Sequence, residues 1–491
     1  MTKKRAVVVG SGFSGLSASS HLAQAGFDVE VFEKNTMPGG RAQQFQSEGY
    51  TFDMGPSWYW MPDVFEHYFA SFGKKVGDYY RLKRLDPSYA VYFGKDHKMD
   101  IPADYGELRR LFETYEPGSG AALDKFLAEA EYKYEVGIND LVYKPGLSLT
   151  EFFDWRVVKG AVRLQLLSSL SAHVRKYFTN PYLIELLEFP VLFLGAMPNK
   201  TPALYSLMNY ADIKLGTWYP ENGMYDIVRA MTALAEELGV KITCKAPVEK
   251  ILTENGKAIG VRVNGEDHHA DVVISSADYH HTEQNLLAPE ERNYSEKYWE
   301  SRTMAPSSLL YYVGLNKKID GILHHNLFFD TDFEKHAKEI YTAPAWPENP
   351  LFYVSATSKT DPGTAPEGCE NLFILIPTAP GLKETPEIKE IYFQKVMDRM
   401  EDLLEQSIRK NVTFRRDFAC TDFMSEYNSF KGNAYGLANT LKQTAVLKPS
   451  LKNKKITGLY YTGQLTVPGP GVPPSLISGK VVADQVSKAF L

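Results

Sequence analysis

The feature that most constrains this chain is a run of glycines between an apolar strand and a helix. Ala6-Val7-Val8-Val9 is a β-branched run typical of a buried parallel strand, and Gly10-Ser11-Gly12-Phe13-Ser14-Gly15 follows at once. A helical stretch, Leu16 to Ala25, ends at Gly26. Asp28-Val29-Glu30-Val31-Phe32 reads as a second strand, closed by Glu33. This is GxGxxG in the context it requires. Gly10 permits the tight turn, Gly12 lets the backbone approach a pyrophosphate, and Gly15 allows close packing of helix on strand. The helix N-terminus offers free N–H groups and the positive end of a dipole. Glu33 lies 18 residues past Gly15, where a carboxylate can accept both hydroxyls of a ribose. The fold class that follows is α/β, built on a Rossmann-type dinucleotide-binding unit. The competing reading is a Gly-rich turn in an unrelated βαβ unit, for which the terminal acid has no use.

At 491 residues the chain has room for two to four structural units. Acids outnumber bases, 60 to 54, giving −6, which disfavours a nucleic-acid partner. Cys244, Cys369 and Cys420 are odd in number and far apart, so neither a disulfide scaffold nor a Cys-only zinc site is expected. The histidine pairs lack ligand spacing, and no metal is predicted. The apolar run after Arg5 is too short for the core of a signal peptide, and no spanning helix is legible. A cytoplasmic, reducing location is expected. Aromatic residues reach 13%, which hints at a large apolar pocket or a greasy surface.

The segment after Glu33 separates the dinucleotides. Gly39-Gly40-Arg41 puts a second glycine pair and a cation soon after strand two, a pattern similar to the FAD-dependent amine oxidase and desaturase superfamily. A matching signal lies far along the chain. Leu459 to Gln464 reads as a strand and turn, Pro468-Gly469-Pro470-Gly471-Val472-Pro473-Pro474 as a rigid loop, and Ser475 to Ala489 as a helix capped by Ser475. Between them, Met224 to Leu238 has helical periodicity, Val240 to Leu252 reads as one strand, and Ala270 to Ser275 as another. The dinucleotide domain is therefore expected to be assembled from separated segments.

With these residues in hand, the chain resembles the bacterial carotenoid desaturases of the phytoene desaturase type over essentially its whole length. The likeness rests on Gly10–Gly15 with Glu33, Gly39-Gly40-Arg41, Phe52-Asp53-Met54-Gly55-Pro56-Ser57, Asn433-Ala434-Tyr435-Gly436 and the block from Gly463 to Gly479. It implies FAD as the sole redox cofactor. Its contacts would come from Gly10, Gly12, Phe13, Ser14, Gly15, Glu33 and Lys34, then Gly40, Arg41, Gly55, Pro56 and Ser57, then Val248, Gly463, Gln464, Gly471 and Val472. Gln464 departs from the family, which often carries an acid there. The resemblance implies an FAD-binding domain from 1–95, 222–300 and 455–491. It implies an inserted α+β substrate domain from 96–154, 199–221 and 301–454, and a helical membrane-facing region at 155–198. It implies desaturation of a hydrophobic linear carotenoid, most simply phytoene to lycopene, with oxygen or a quinone as electron acceptor. The alternatives are a 3,4-desaturase of hydroxylated acyclic carotenoids, a non-carotenoid flavin oxidase, and a non-enzymatic binder of related architecture.

Desaturation removes a hydride, which the flavin takes, and a proton from the adjacent carbon. The protein must position the chain and exclude water, so no triad is expected and no catalytic base is assigned. Asp53 and Asp278 read more readily as caps. Trp58, Tyr59 and Trp60 are substrate-pocket candidates or ordinary core aromatics, and at most two of the three can face one cavity in an extended segment.

The substrate would reside in a bilayer, so a lipid surface is an expected partner. Between Asp154 and Glu185 the chain has no acid, and Arg156, Lys159 and Arg163 share one helical stripe, the pattern of a basic helix lying on an anionic membrane. The apolar run from Pro181 to Pro198 completes this candidate docking and entry region. The other reading of 155–198 is a buried helical lid with a solvated basic face.

Overall fold

The computed structural model describes residues 3–148, 151, 168–195, 197–440 and 442–491. A five-stranded parallel sheet is collected from three distant stretches of chain. Its strands are β1 (Arg5–Val9), β2 (Asp28–Phe32), β3 (Lys241–Thr243), β4 (Val272–Ser275) and β5 (Leu459–Tyr461), in spatial order β5-β4-β1-β2-β3. Val8 pairs with Ile274 on one side and Val31 on the other. Both faces of β1 are buried. Ala6 and Val8 join a core with Leu16 and Met231, whereas Val7 and Val9 join Ile251 and Val261 of an antiparallel meander over residues 248–269. That two-sided burial is why the strand reads as an unbroken apolar run.

Three helices complete this unit: α1 (Phe13–Gln24), α2 (Tyr225–Glu237) and α3 (Val472–Phe490). Helix α1 packs against both others, and the Ser17 hydroxyl donates to the Leu476 carbonyl at 2.7 Å. At Gly15 a Cβ would lie 2.1 Å from the Gly10 carbonyl oxygen, so no other residue lets α1 sit this close to its own turn.

The second layer is a seven-stranded mixed sheet. Its order is 412–418, 307–315, 370–378, 352–355, 325–328, 89–94 and 97–101. Period-two patterning sorts its side chains. Leu309, Tyr311, Leu372 and Ile374 face a core shared with Phe393 and Met397 of the helix Pro386–Leu404, while Leu310, Phe373 and Leu375 face the other way. Each large apolar side chain so buried contributes about 1.5–3 kcal/mol.

Several boundaries differ from the sequence reading. A division at residue 95 falls in the tip of the hairpin 89–101, which lies wholly in the seven-stranded sheet. The stretch 240–252 is two strands in two sheets, broken by Lys245 at φ +55° and by Pro247. Helix α3 starts at Val472, and Ser475 lies inside its first turn, with its hydroxyl bonded to the Gly471 carbonyl at 2.8 Å. Arg156, Lys159 and Arg163 lie outside the described residues. In the apolar run beyond them, Leu183, Leu186 and Leu187 of the helix Pro181–Glu188 are buried in the protein core. Among the described residues, no helix is long and apolar enough to cross a membrane.

Candidate active site

A cavity of about 590 Å³ opens at the carboxyl ends of the parallel strands and runs to the seven-stranded sheet. Its two ends are built differently. At one end Val9, Phe32 and Thr462 close β1, β2 and β5, the position where open parallel sheets bind ligands. The turn Gly10–Ser14 crosses this end, and Gly39 donates to the Ser11 carbonyl at 2.9 Å, which clamps the second glycine loop onto the first. The N-termini of α1 and α3 both face the cavity through Gly12–Ser14 and Gly471–Ser475. Both therefore present their positive dipole ends to it.

Glu33 is buried. Its Oε2 accepts from the Ser11 N–H at 2.9 Å and the Ser11 hydroxyl at 2.8 Å, and Oε1 accepts from the Asn35 N–H at 2.9 Å. Three local donors thus fix the carboxylate at the cavity edge. Lys34 also lines the cavity and donates to the Ser425 carbonyl at 2.7 Å.

Arg41 lies against the cavity and donates to the Ser429 hydroxyl at 2.9 Å. With the Gln464 amide turned so that its oxygen faces the guanidinium, that oxygen accepts from Arg41 at 2.9 and 3.2 Å. Burial lowers the Arg41 pKa and raises that of Asp278, and each charge partly offsets the other's shift. Asp278 accepts from the His281 N–H at 3.2 Å and caps the helix Tyr279–Leu286. Asp53 is outside the cavity lining. It accepts from the backbone of Met224 and Tyr225 at the start of α2, and burial pushes its pKa up to about 6. Both aspartates therefore hold helix starts.

The other end is apolar. Gly55, Pro56 and Ser57 lead into Trp58 and Trp60, which face the cavity. Tyr59 turns away, stacks on Phe65 and bonds the Tyr80 hydroxyl at 2.9 Å. The Trp58 ring stacks on His325 at 4.1 Å, and the Trp60 indole donates to Thr217 at 2.8 Å. Leu310, Phe373, Leu375 and Tyr353 add the sheet wall. The loop 433–436 is held by the Gly436 N–H donating to the Asn433 side chain at 2.7 Å, and it presents Ala434 and Tyr435. Among the described residues, this end has no carboxylate or imidazole in its lining.

The family model for flavin-containing amine oxidoreductases matches residues 13–487. A carotenoid 3,4-desaturase of Haloarcula japonica is 43% identical over 480 residues, covering 98% of this chain and 97% of that protein. A zeta-carotene-forming phytoene desaturase of Myxococcus xanthus is 33% identical over 490 residues, covering 98% and 94%. The chain belongs to the carotenoid desaturases. Solved structures are more distant and speak to the fold alone. An oxidoreductase from Methanosarcina mazei is 18% identical with a TM-score of 0.62, covering 98% of this chain and all of that one. A putrescine oxidase bound to putrescine is 12% identical with a TM-score of 0.61, covering 99% of each.

The desaturase uses FAD, and its residues fit that group. The buried Nε of Arg41 has no hydrogen-bond partner and waits for an acceptor. At Gly40, with φ +59°, a Cβ would lie 3.2 Å from the Gly12 Cα and fill the cradle between the two glycine loops.

All the residues singled out for the cofactor line this cavity except Gly15, which packs beneath it. Sequence reasoning missed Phe423, Glu426 and Tyr427 of the helix Cys420–Tyr427, and the sheet residues Leu310, Phe373 and Leu375. Their period-two alternation is visible in the sequence. Both faces of those strands are apolar, however, so the alternation does not say which face meets a cavity.

Proposed function

We propose that the desaturase introduces C=C bonds into an acyclic C40 hydrocarbon, carrying phytoene towards lycopene. The observation that carries this is a single cavity with polar, backbone-built walls at one end and apolar, aromatic walls at the other. FAD, when bound, supplies the acceptor for the hydride.

The chain's own residues divide the remaining work. The N–H groups of Gly12, Phe13 and Ser14, the Arg41 guanidinium and the α3 N-terminus at Gly471 and Val472 hold the anionic middle of the cofactor. Glu33 and Lys34 hold its ribose side, Val248 its adenine side, and Gly40, Gly55, Gly463 and Gln464 the approaches to its ring. Trp58, Trp60 and the sheet wall hold the chain, exclude water and set which carbon faces the ring. The apolar wall acts through position, because among the described residues its lining offers no carboxylate or imidazole. A membrane surface supplies so insoluble a substrate, and oxygen or a quinone takes the electrons.

A second reading, 3,4-desaturation of a hydroxylated acyclic carotenoid, is favoured by the 43% identity to the Haloarcula japonica relative. One experiment separates them. The protein, FAD and phytoene are incubated in liposomes, and the spectrum of the extracted lipid is read. A red, long-polyene spectrum supports phytoene desaturation. A colourless extract from flavin-replete protein overturns it, and conversion of a hydroxylated acyclic carotenoid would then establish the second reading.

A further inference from the structure

Behind the sheet wall lies a separate void of about 50 Å³. It shares three lining residues with the main cavity, Tyr353, Leu375 and Tyr435, so the two spaces are one side-chain layer apart. Its far walls are Phe329, Phe333, Ala337 and Ile340, the last three on the buried face of the helix Phe333–Tyr341. Phe333, Ala337 and Ile340 follow the i, i+4, i+7 spacing of one helical stripe.

Two of the polar side chains around this void, His336 and Tyr353, have their hydrogen bonds placed elsewhere. His336 uses both ring nitrogens, one against the Pro377 carbonyl at 2.9 Å and the other accepting from the Leu351 N–H at 3.0 Å. The Tyr353 hydroxyl is bonded to His325 at 2.6 Å. So apolar a lining offers a water few hydrogen-bond partners. The void's size corresponds to roughly three to five water-sized groups, which is the bulk of a branched, four-carbon isoprenoid terminus.

We propose that this void is a terminal chamber for the substrate: Tyr353, Leu375 and Tyr435 part to admit the unsubstituted isoprenoid end of the chain. The proposal rests on the acyclic-carotenoid reading above and deepens it. The chamber sets how far the chain threads past the ring, and hence which bonds come into reach. It also selects against a hydroxylated end, whose O–H would displace an existing hydrogen bond or go unpaired.

The test fills the chamber from behind with Ala337→Leu and Ala337→Phe, in flavin-loaded full-length protein. Ala337 lies outside the main cavity lining, so flavin content should be unchanged. The expected result is at least a tenfold loss of kcat/KM for phytoene and a product with fewer added double bonds. A C30 analogue, shorter at each end, should lose less than threefold. Wild-type kinetics and products in both variants, folded and flavin-loaded, would overturn the proposal.

Xenon binding gives an arm that needs no turnover. Xenon should occupy the chamber in wild-type crystals and be excluded from Ala337→Phe, and its absence from the wild type would also overturn the proposal. Wild-type protein that leaves phytoene unchanged counts against the substrate reading instead, while the xenon result still decides the chamber.

Discussion

The two ends of the main cavity solve recognition by opposite means. The polar end is made of backbone: turns, two helix N-termini and a glycine cradle, with one half-buried arginine. The apolar end is made of side chains gathered from Trp58 and Trp60, the strands 307–315, 352–355 and 370–378, and the loop at Ala434. Backbone recognition suits a ligand of fixed shape and charge, because N–H groups cannot be traded for others. A side-chain wall suits a family of hydrocarbons that differ in length and unsaturation, since its volume can change by substitution without breaking the fold.

If that contrast is right, the most severe single change lies at the backbone end. Gly15→Val should abolish soluble, flavin-containing protein, since its first side-chain carbon would fall 2.1 Å from the Gly10 oxygen. A yellow, folded variant would break the comparison outright.

Arg41→Ala should leave the fold and weaken FAD binding by roughly 10- to 150-fold, the range for losing a charge-assisted hydrogen bond. Flavin titration of the apoprotein reads it. Arg41→Lys should recover only part, because it lacks the fork that reaches Ser429 and Gln464 together. At the other end, Trp58→Leu should lower kcat/KM for the polyene by about tenfold while flavin affinity stays within error. Equal losses in both would show that the two ends are not separable.

Asp53 tests a third position, beneath the site. Burial raises its native pKa from 3.8 to about 6, so the native state holds this proton more tightly than the unfolded chain does. The resulting stabilisation is complete below the unfolded value and is lost as pH rises through about 6. Asp53→Asn removes this dependence. The wild-type stability advantage should therefore shrink by on the order of 2 kcal/mol between pH 4 and pH 6.5, measured by urea unfolding. An advantage that grows over this range would refute the assignment. The smallest effect is expected at Gln464→Glu. A carboxylate facing Arg41 should change FAD affinity by no more than about threefold, since Arg41 already has an acceptor there.

The same contrast explains what the sequence made legible. Gly10 to Glu33, Gly39 to Arg41 and Gly463 to Val472 act through contiguous backbone, so short motifs carried them, and Gly15 alone turned out to pack beneath the site rather than line it. The alternation of Trp58, Tyr59 and Trp60 was readable for the same local reason. Phe373 and Leu375 act through a wall whose other members lie tens to hundreds of residues away, and both faces of their strand are apolar. No local pattern distinguishes a residue facing a cavity from one facing a helix. The boundary errors have local causes as well: Pro247 splits a stretch that otherwise scans as one strand, and Gly471 caps a helix four residues before the first good hydroxyl cap.

The hydrogen bond from Ser17 to Leu476 spans 459 residues. Helix α1 emerges from the ribosome early, yet α3, its packing partner, follows at 5–20 residues per second only after roughly 20–90 s. Throughout that interval the glycine turn exists without β5, without the second helix N-terminus and without Gln464. The cofactor pocket is therefore a late product of synthesis, and flavin capture belongs to the last step of maturation. Cellular flavin supply and the quality control of nascent chains meet at that step, and a chain delayed there exposes the apolar faces of α1 and of the parallel sheet to every other hydrophobic surface in the cell.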